Sequence, residues 1–267
     1  ARLWERPQPS LLLDIGTNTE VALHAGDRIR SCSCASGPAF EGGGLSQGMR
    51  AGDGAIERVT IDPARGRPRL TVIGDTAPRG ICGSGIMSVL AALLELKVID
   101  ASGRMLRDSQ DIERRGEELV YYLAPPGAEN PEGVAITQSD IREIQKAKGA
   151  IRAGVDALLA EAGIDHTQLK EIVLAGAFGT YIDPADALSI ALLPPVPVAQ
   201  VNQVGNAAGA GARSILLSAG MRSEAEEVAG NLDYLELSSY PELSRLFAAG
   251  MYLSEEAVAE AKARFKL

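Results

Sequence analysis

The sequence predicts an α/β protein: a mixed sheet, begun by antiparallel strands, with helices packed on it. Three observations point there. Residues 11–35 read as three short apolar strands joined by tight turns. Two later stretches, "EIVLAGAFGTYIDPADALSIALLP" and "AQVNQVGNAAGAGARSILLSAG", each run strand, glycine loop, helix. Upstream of both, "ITQSDIREIQKAKGAIRAGVDALLAEAGI" repeats its apolar residues at helical spacing.

Taken in order, "LLLDI" and "EVALHA" flank a turn, and "RIRSCSCA" follows the hairpin signal "GD". A glycine-rich loop comes next, "SGPAFEGGGLSQGMRAGDG", and then two more strands, "AIERVTID" and "RLTVIGD". "GSGIMSVLAALLELKVID" is an apolar helix opening on Gly83 and Gly85. Residues 101–132 are charged and loop-rich, with a strand at "ELVYYLA". In the long helix, Thr137 is placed to cap the start, with Asp140 three residues on. Ile141, Ile144, Ala147, Ile151, Val155, Leu158 and Leu159 form its apolar face. Gly149 and Gly154 weaken that helix by about 1 kcal/mol each, so a close neighbour is expected at both. Helices are expected over 84–97, 138–162 and 206–219, and the rest of the C-terminal part reads as helices around "LDYLEL".

The chain has 267 residues, enough for one large domain. Its net charge of −9 argues against a nucleic-acid partner. No apolar run reaches the ~20 residues of a membrane span, and "ARLWERPQPS" lacks a signal peptide, so a soluble cytoplasmic protein is expected. Cys32, Cys34 and Cys82 are an odd set in such a chain and are expected as buried free thiols rather than metal ligands. Neither a Walker loop, nor a dinucleotide-binding fingerprint, nor a nucleophile elbow is present. His24 falls in a strand and His166 near a turn, which leaves a Ser-His-Asp arrangement little to build on.

Four glycine loops remain, at 14–19, 83–85, 176–179 and 205–211. Helix N-termini and glycine turns suit phosphates, because free N–H groups point outward and the backbone can come close. The order of these loops resembles the actin, heat-shock-protein and sugar-kinase superfamily. "DIGTNTE", "CASGPAFEGGG" with "GMRAGDGAIE", "GICGSGI", "TQSDIREIQKAKGAI", "LAGAFGTYID" and "VGNAAGAGA" together resemble the reductive activators of corrinoid proteins. The likeness runs over nearly the whole chain. It implies a ribonuclease-H-like lobe of an actin-like ATPase, ATP and Mg2+ as ligands, and a corrinoid protein or corrinoid-dependent methyltransferase as partner. Such activators couple ATP to reduction of a Co(II) corrinoid to Co(I). Their two-iron two-sulfur cluster sits in a ferredoxin-like domain, for which this chain has no cysteine run.

Only one phosphate hairpin is present, so residues 1–267 are expected to be the second lobe alone, with 1–10 a linker remnant and 222–267 a helical extension. Half a cleft implies weak nucleotide binding by this chain on its own. The resemblance implies that Asp14 faces Mg2+ through water, and that Thr17 and Thr19 donate hydroxyls to phosphate or its hydration shell. Gly16, Asn18, Gly83, Ser84, Gly85, Gly176, Ala177, Gly179, Gly205 and Asn206 are expected to line the same cleft. Arg142, Lys146 or Lys148 would reach the base or ribose. Two other functions compete: a small-molecule kinase with Glu41 or Asp53 as base, and a docking module whose glycines serve packing. In the 36–54 loop, Phe40, Leu45 and Met49 suit either a partner-binding surface or a packed lid.

Overall fold

The computed structural model describes residues 2–62, 67–107, 111–128 and 130–267. Strands β1 (Ser10–Asp14), β2 (Thr19–Ala25) and β3 (Arg28–Cys34) form the antiparallel start. Next come β4 (Ala55–Asp62), β5 (Arg67–Val72), β6 (Gly80–Ile81) and helix α1 (Gly83–Glu95). Strands β7 (Ile112–Arg115), β8 (Glu118–Ala124) and β9 (Val134–Thr137) lead into α2 (Gln138–Ala162). The chain continues through β10 (Glu171–Ala175), α3 (Gly176–Gly179), α4 (Pro184–Ser189) and β11 (Val201–Gln203). It closes with α5 (Ala207–Leu217), α6 (Ala219–Gly230), β12 (Leu232–Tyr234), α7 (Leu243–Gly250) and α8 (Glu255–Phe265).

The main sheet has six strands in the order β11-β10-β1-β2-β3-β12. β1 is central, antiparallel to β2 and parallel to β10, and β10 is parallel to β11. Burial explains the β1–β2 register: Leu11, Leu13, Val21 and Leu23 are fully buried while Leu12 and Ala22 between them are not, so a one-residue slip would turn the buried set to the more open face. Two three-stranded sheets, β5-β4-β6 and β7-β8-β9, stand beside it. β6, β7 and β9 have no counterpart in the sequence reading.

α2 lies on β2 and β3. Its expected cap is present: Asp140 N donates to Thr137 Oγ1 at 3.0 Å and Thr137 N to Asp140 Oδ2 at 2.9 Å. Asp140 also accepts from Ser46 N and Oγ, at 2.7 and 2.6 Å, and so ties the 36–54 loop to the helix. Phe40 is buried, and Met49 packs on Gly80. Of the two roles that suit this loop, its apolar contacts match the packed lid. The helix glycines have the expected close neighbours. A Cβ at Gly154 would collide with Cys34 Sγ, and one at Gly149 would lie 3.0 Å from Phe247 O of α7.

α1 packs on β4 rather than on the six-stranded sheet. The buried Ser88 hydroxyl bonds both Val59 N and Val59 O, at 2.9 and 2.8 Å, and a Cβ at Gly85 would strike Ile56 O. The helix expected at 206–219 breaks at Ser218, whose hydroxyl caps α6. No residue of α5 is buried; it packs on α6 instead of the sheet. Its "AAGAGA" half offers little apolar area to bury, and at its other end Leu216 and Leu217 stand exposed. Among the described residues, no helix is long and apolar enough to cross a membrane.

Candidate functional site

Three glycine turns meet at one end of the main sheet, because β1, β10 and β11 are parallel neighbours and finish together. The backbone stitches them: Ile15 N donates to Ala175 O at 3.3 Å, Gly176 N to Gly205 O at 3.0 Å, and Val204 N to Leu174 O at 3.0 Å. Gly176 has φ +87°, and a Cβ there would collide with Asp14 Oδ1. Glycine is therefore required for the Asp14 carboxylate to lie against this turn.

Asp14 is half-buried, and burial raises its pKa above the usual carboxylate value. Among the described residues no group donates a hydrogen bond to it. Thr17 and Asn18 are exposed at the tip of the turn. Thr17 Oγ1 donates to Glu41 Oε1 at 2.6 Å. Thr19 points the other way: it is fully buried and shares a 2.9 Å hydrogen bond with Ser36 Oγ, which in turn donates to Gly16 O at 3.0 Å. The Thr19 hydroxyl is thus spent inside the hairpin, and Thr17 is the hydroxyl that faces solvent.

Phe178 stacks on Phe40 with centroids 5.7 Å apart and planes 11° from parallel. Gly83, at the start of α1, fits under this pair; a Cβ there would strike Phe40 O and the Phe178 ring. The α1 terminus therefore borders the same corner, with Ser84 half-buried beside Cys82 and Gly85 committed to β4. Gly179 is buried against Leu174. Ala177 belongs to α3. Gly205 has φ +69°, and Asn206 caps α5 by accepting from Gly209 N at 2.7 Å.

The charged residues of α2 have other partners. Arg142 donates to Ser102 O at 2.8 Å, Lys146 pairs with Glu143 at 2.6 Å, and Lys148 is fully buried on Gly250 O and Tyr252 O, both at 2.6 Å. Asp53 lies against Gly74, next to β4 and β5. Sequence reading missed Gln203, whose Nε2 lies 2.7, 3.1 and 2.8 Å from the carbonyls of Gly179, Thr180 and Ile182 and pins that turn. It also missed Ser36 as the brace of the hairpin. Neither carries a local signal, since both act across the fold. The three cysteines are free and buried, and no metal-ligand cluster occurs among the described residues.

A six-stranded sheet in this order, with a hairpin at its centre and glycine turns where its parallel strands end, defines an α/β lobe of the actin, heat-shock-protein and sugar-kinase class. Over residues 8–263 the chain matches the family described as the C-terminal domain of RACo, the ASKHA domain, and it belongs to that family. It is 42% identical over 218 residues to the corrinoid activation enzyme RamQ of Eubacterium limosum, covering 78% of this chain and 36% of that protein. It is 31% identical over 258 residues to a Co(II) methylated amine-specific corrinoid protein reductase of Methanosarcina barkeri, covering 88% of this chain and 44% of that protein. A solved structure of a reductive activator for a corrinoid, iron-sulfur protein superposes with a TM-score of 0.83 at 38% identity, covering 94% of this chain and 40% of that one. The chain thus spans about two-fifths of the length of these relatives.

Proposed function

We propose that this chain is the ATP-binding lobe of a reductive activator that returns a Co(II) corrinoid, held on a protein partner, to Co(I). The observation that carries this reading is Asp14: a half-buried carboxylate with a raised pKa and no donor among the described residues, set against an obligatory glycine turn. An unsatisfied carboxylate of this kind fits a hydrated Mg2+, which keeps its own waters and takes one or two carboxylates. Mg2+ bound there would neutralise phosphate charge. The chain's own groups do the rest. Backbone N–H groups of the 14–19 turn face the phosphates, the 176–179 and 205–206 turns hold the nucleoside side, and Gln203 keeps the first of these two turns in place.

The electron for Co(II) would come from an iron–sulfur donor outside this lobe, since the three cysteines here are buried and free. ATP binding and hydrolysis would shift the lobe against its counterpart and change the fit to the corrinoid protein. The test is Asp14→Ala in the intact protein, with its corrinoid partner and a reduced iron–sulfur donor, followed through the visible spectrum of the corrinoid. ATP-dependent formation of Co(I) should fall about 100-fold or more while the thermal melt stays cooperative. Unchanged Co(I) formation in a folded variant would remove the nucleotide role and favour a docking module.

A further inference from the structure

Beside the hairpin tip, in the 36–54 loop, stands a second carboxylate that the reading above leaves without a task. Glu41 ends the short turn Ala39–Glu41. Its backbone is held firmly: Glu41 N donates to Pro38 O at 2.9 Å, Gly37 N donates to Thr17 O at 2.8 Å, and Phe40 next to it is buried under Phe178. Its side chain is exposed, and among the described residues its one hydrogen bond is the 2.6 Å contact from Thr17 Oγ1. A hydroxyl has a single proton. Thr17 therefore cannot donate to Glu41 and to a phosphate oxygen at once. A phosphate arriving at the turn also meets Glu41 as a like charge, so the two acceptors compete for one donor.

We propose that Glu41 is a displaceable catalytic carboxylate. Without nucleotide it occupies the Thr17 hydroxyl. The terminal phosphate of ATP takes that hydroxyl over, and the released Glu41 holds the attacking water. In the step itself the water oxygen bonds to the terminal phosphorus as the bond from that phosphorus to the ADP oxygen breaks. The water proton passes to the Glu41 carboxylate and then to solvent, leaving ADP and inorganic phosphate. The fixed backbone and free side chain suit this exchange: the carboxylate swings, and the turn that carries it does not. The inference rests on the ATP-binding reading and adds a residue and a sequence of contacts to it.

Glu41→Gln and Glu41→Ala in the intact protein separate the possibilities, with Mg2+ and ATP titrated calorimetrically and hydrolysis measured in single turnovers. Both variants should hydrolyse bound ATP at least about 30-fold more slowly, as the loss of a positioned acid–base group does. Glu41→Ala should bind ATP about threefold more tightly, the order of effect of one exposed charge. Opposite signs for binding and turnover are something a merely structural residue does not produce. Hydrolysis within threefold of wild type, or Glu41→Ala binding more weakly, would overturn the proposal and leave the ATP-binding reading standing. A wild-type protein that binds no ATP would overturn both.

Discussion

The hairpin corner and the α2–α7–α8 junction hold polar groups in opposite ways. At the junction Lys148, Arg152 and Asp156 are buried, and each meets a partner of the opposite character. Arg152, nearly fully buried, pairs with Asp156 at 3.2 Å and with Glu255 through both guanidinium nitrogens, and it donates to Ala191 O at 3.3 Å. Lys262 sits 2.8 Å from Asp156 Oδ2, an ionic contact outside hydrogen-bond geometry. Lys148 is driven well below its ordinary pKa by burial and by the neighbouring Arg152. Gly149 and Gly250 let the two helices cross closely: a Cβ on either would lie 3.0 Å from a backbone oxygen of the other helix. At the corner, by contrast, Asp14 has no donor among the described residues, and the Thr17 tip faces water. A charge-rich motif is therefore no guide to chemistry by itself. "REIQKAKGAIR" engages Arg142, Lys148 and Arg152 within the fold, while the sparse "DIGTN" turn leaves the Asp14 carboxylate without a donor among the described residues.

The largest expected effect lies at the junction. Arg152→Ala strands Asp156 and Glu255, which for a broken buried pair costs about 3–5 kcal/mol. Urea unfolding should show this as a lower midpoint, with ATP affinity of the remaining folded protein unchanged. A midpoint close to wild type would mean that the network is not a lock, and the contrast between the regions would collapse.

Gly176→Ala is intermediate. Its side chain would meet Asp14 Oδ1 at a residue with φ +87°, and strain of this kind costs about 1–3 kcal/mol. The expected result is moderate destabilisation together with loss of ATP binding, because the clash displaces the Asp14 carboxylate. Destabilisation with normal binding would separate the turn from the site.

Asp14→Asn is the smallest and sharpest test. Burial raises the Asp14 pKa in the folded chain above its unfolded value of 3.8. The folded state then holds the proton more tightly, so stability declines as pH rises from about 3.8 through the folded pKa, and the cost remains at neutral pH. Asn removes that cost. The variant should melt slightly higher than wild type at neutral pH without nucleotide, and the order should reverse when Mg2+ and ATP are added. A lower melt without nucleotide would mean that the carboxylate is already stabilised in the empty fold.

Much of this molecule was readable locally. Alternation in 11–35, the Thr137–Asp140 cap and the strand–glycine–helix runs are short-range features, and each appears in place. The small sheets were harder, because the two-residue β6 and the four-residue β7 and β9 are too short to show a period. Gln203 and Ser36 stayed hidden because each acts on a segment distant in sequence.

What the sequence alone determined is the longer strands and helices, the glycine turns and the family likeness, since these follow from periodicity, caps and motif order. It could not sort the glycines. Any close approach asks for a residue without a side chain, whether the neighbour is a phosphate, a carboxylate or another strand. Only the tertiary structure separated Gly176, needed beside Asp14, from Gly85 and Gly154, needed beside Ile56 and Cys34. It likewise turned Thr19 inward and Thr17 outward, and it enclosed Lys148, because direction and burial are properties of the packed chain and not of the residue.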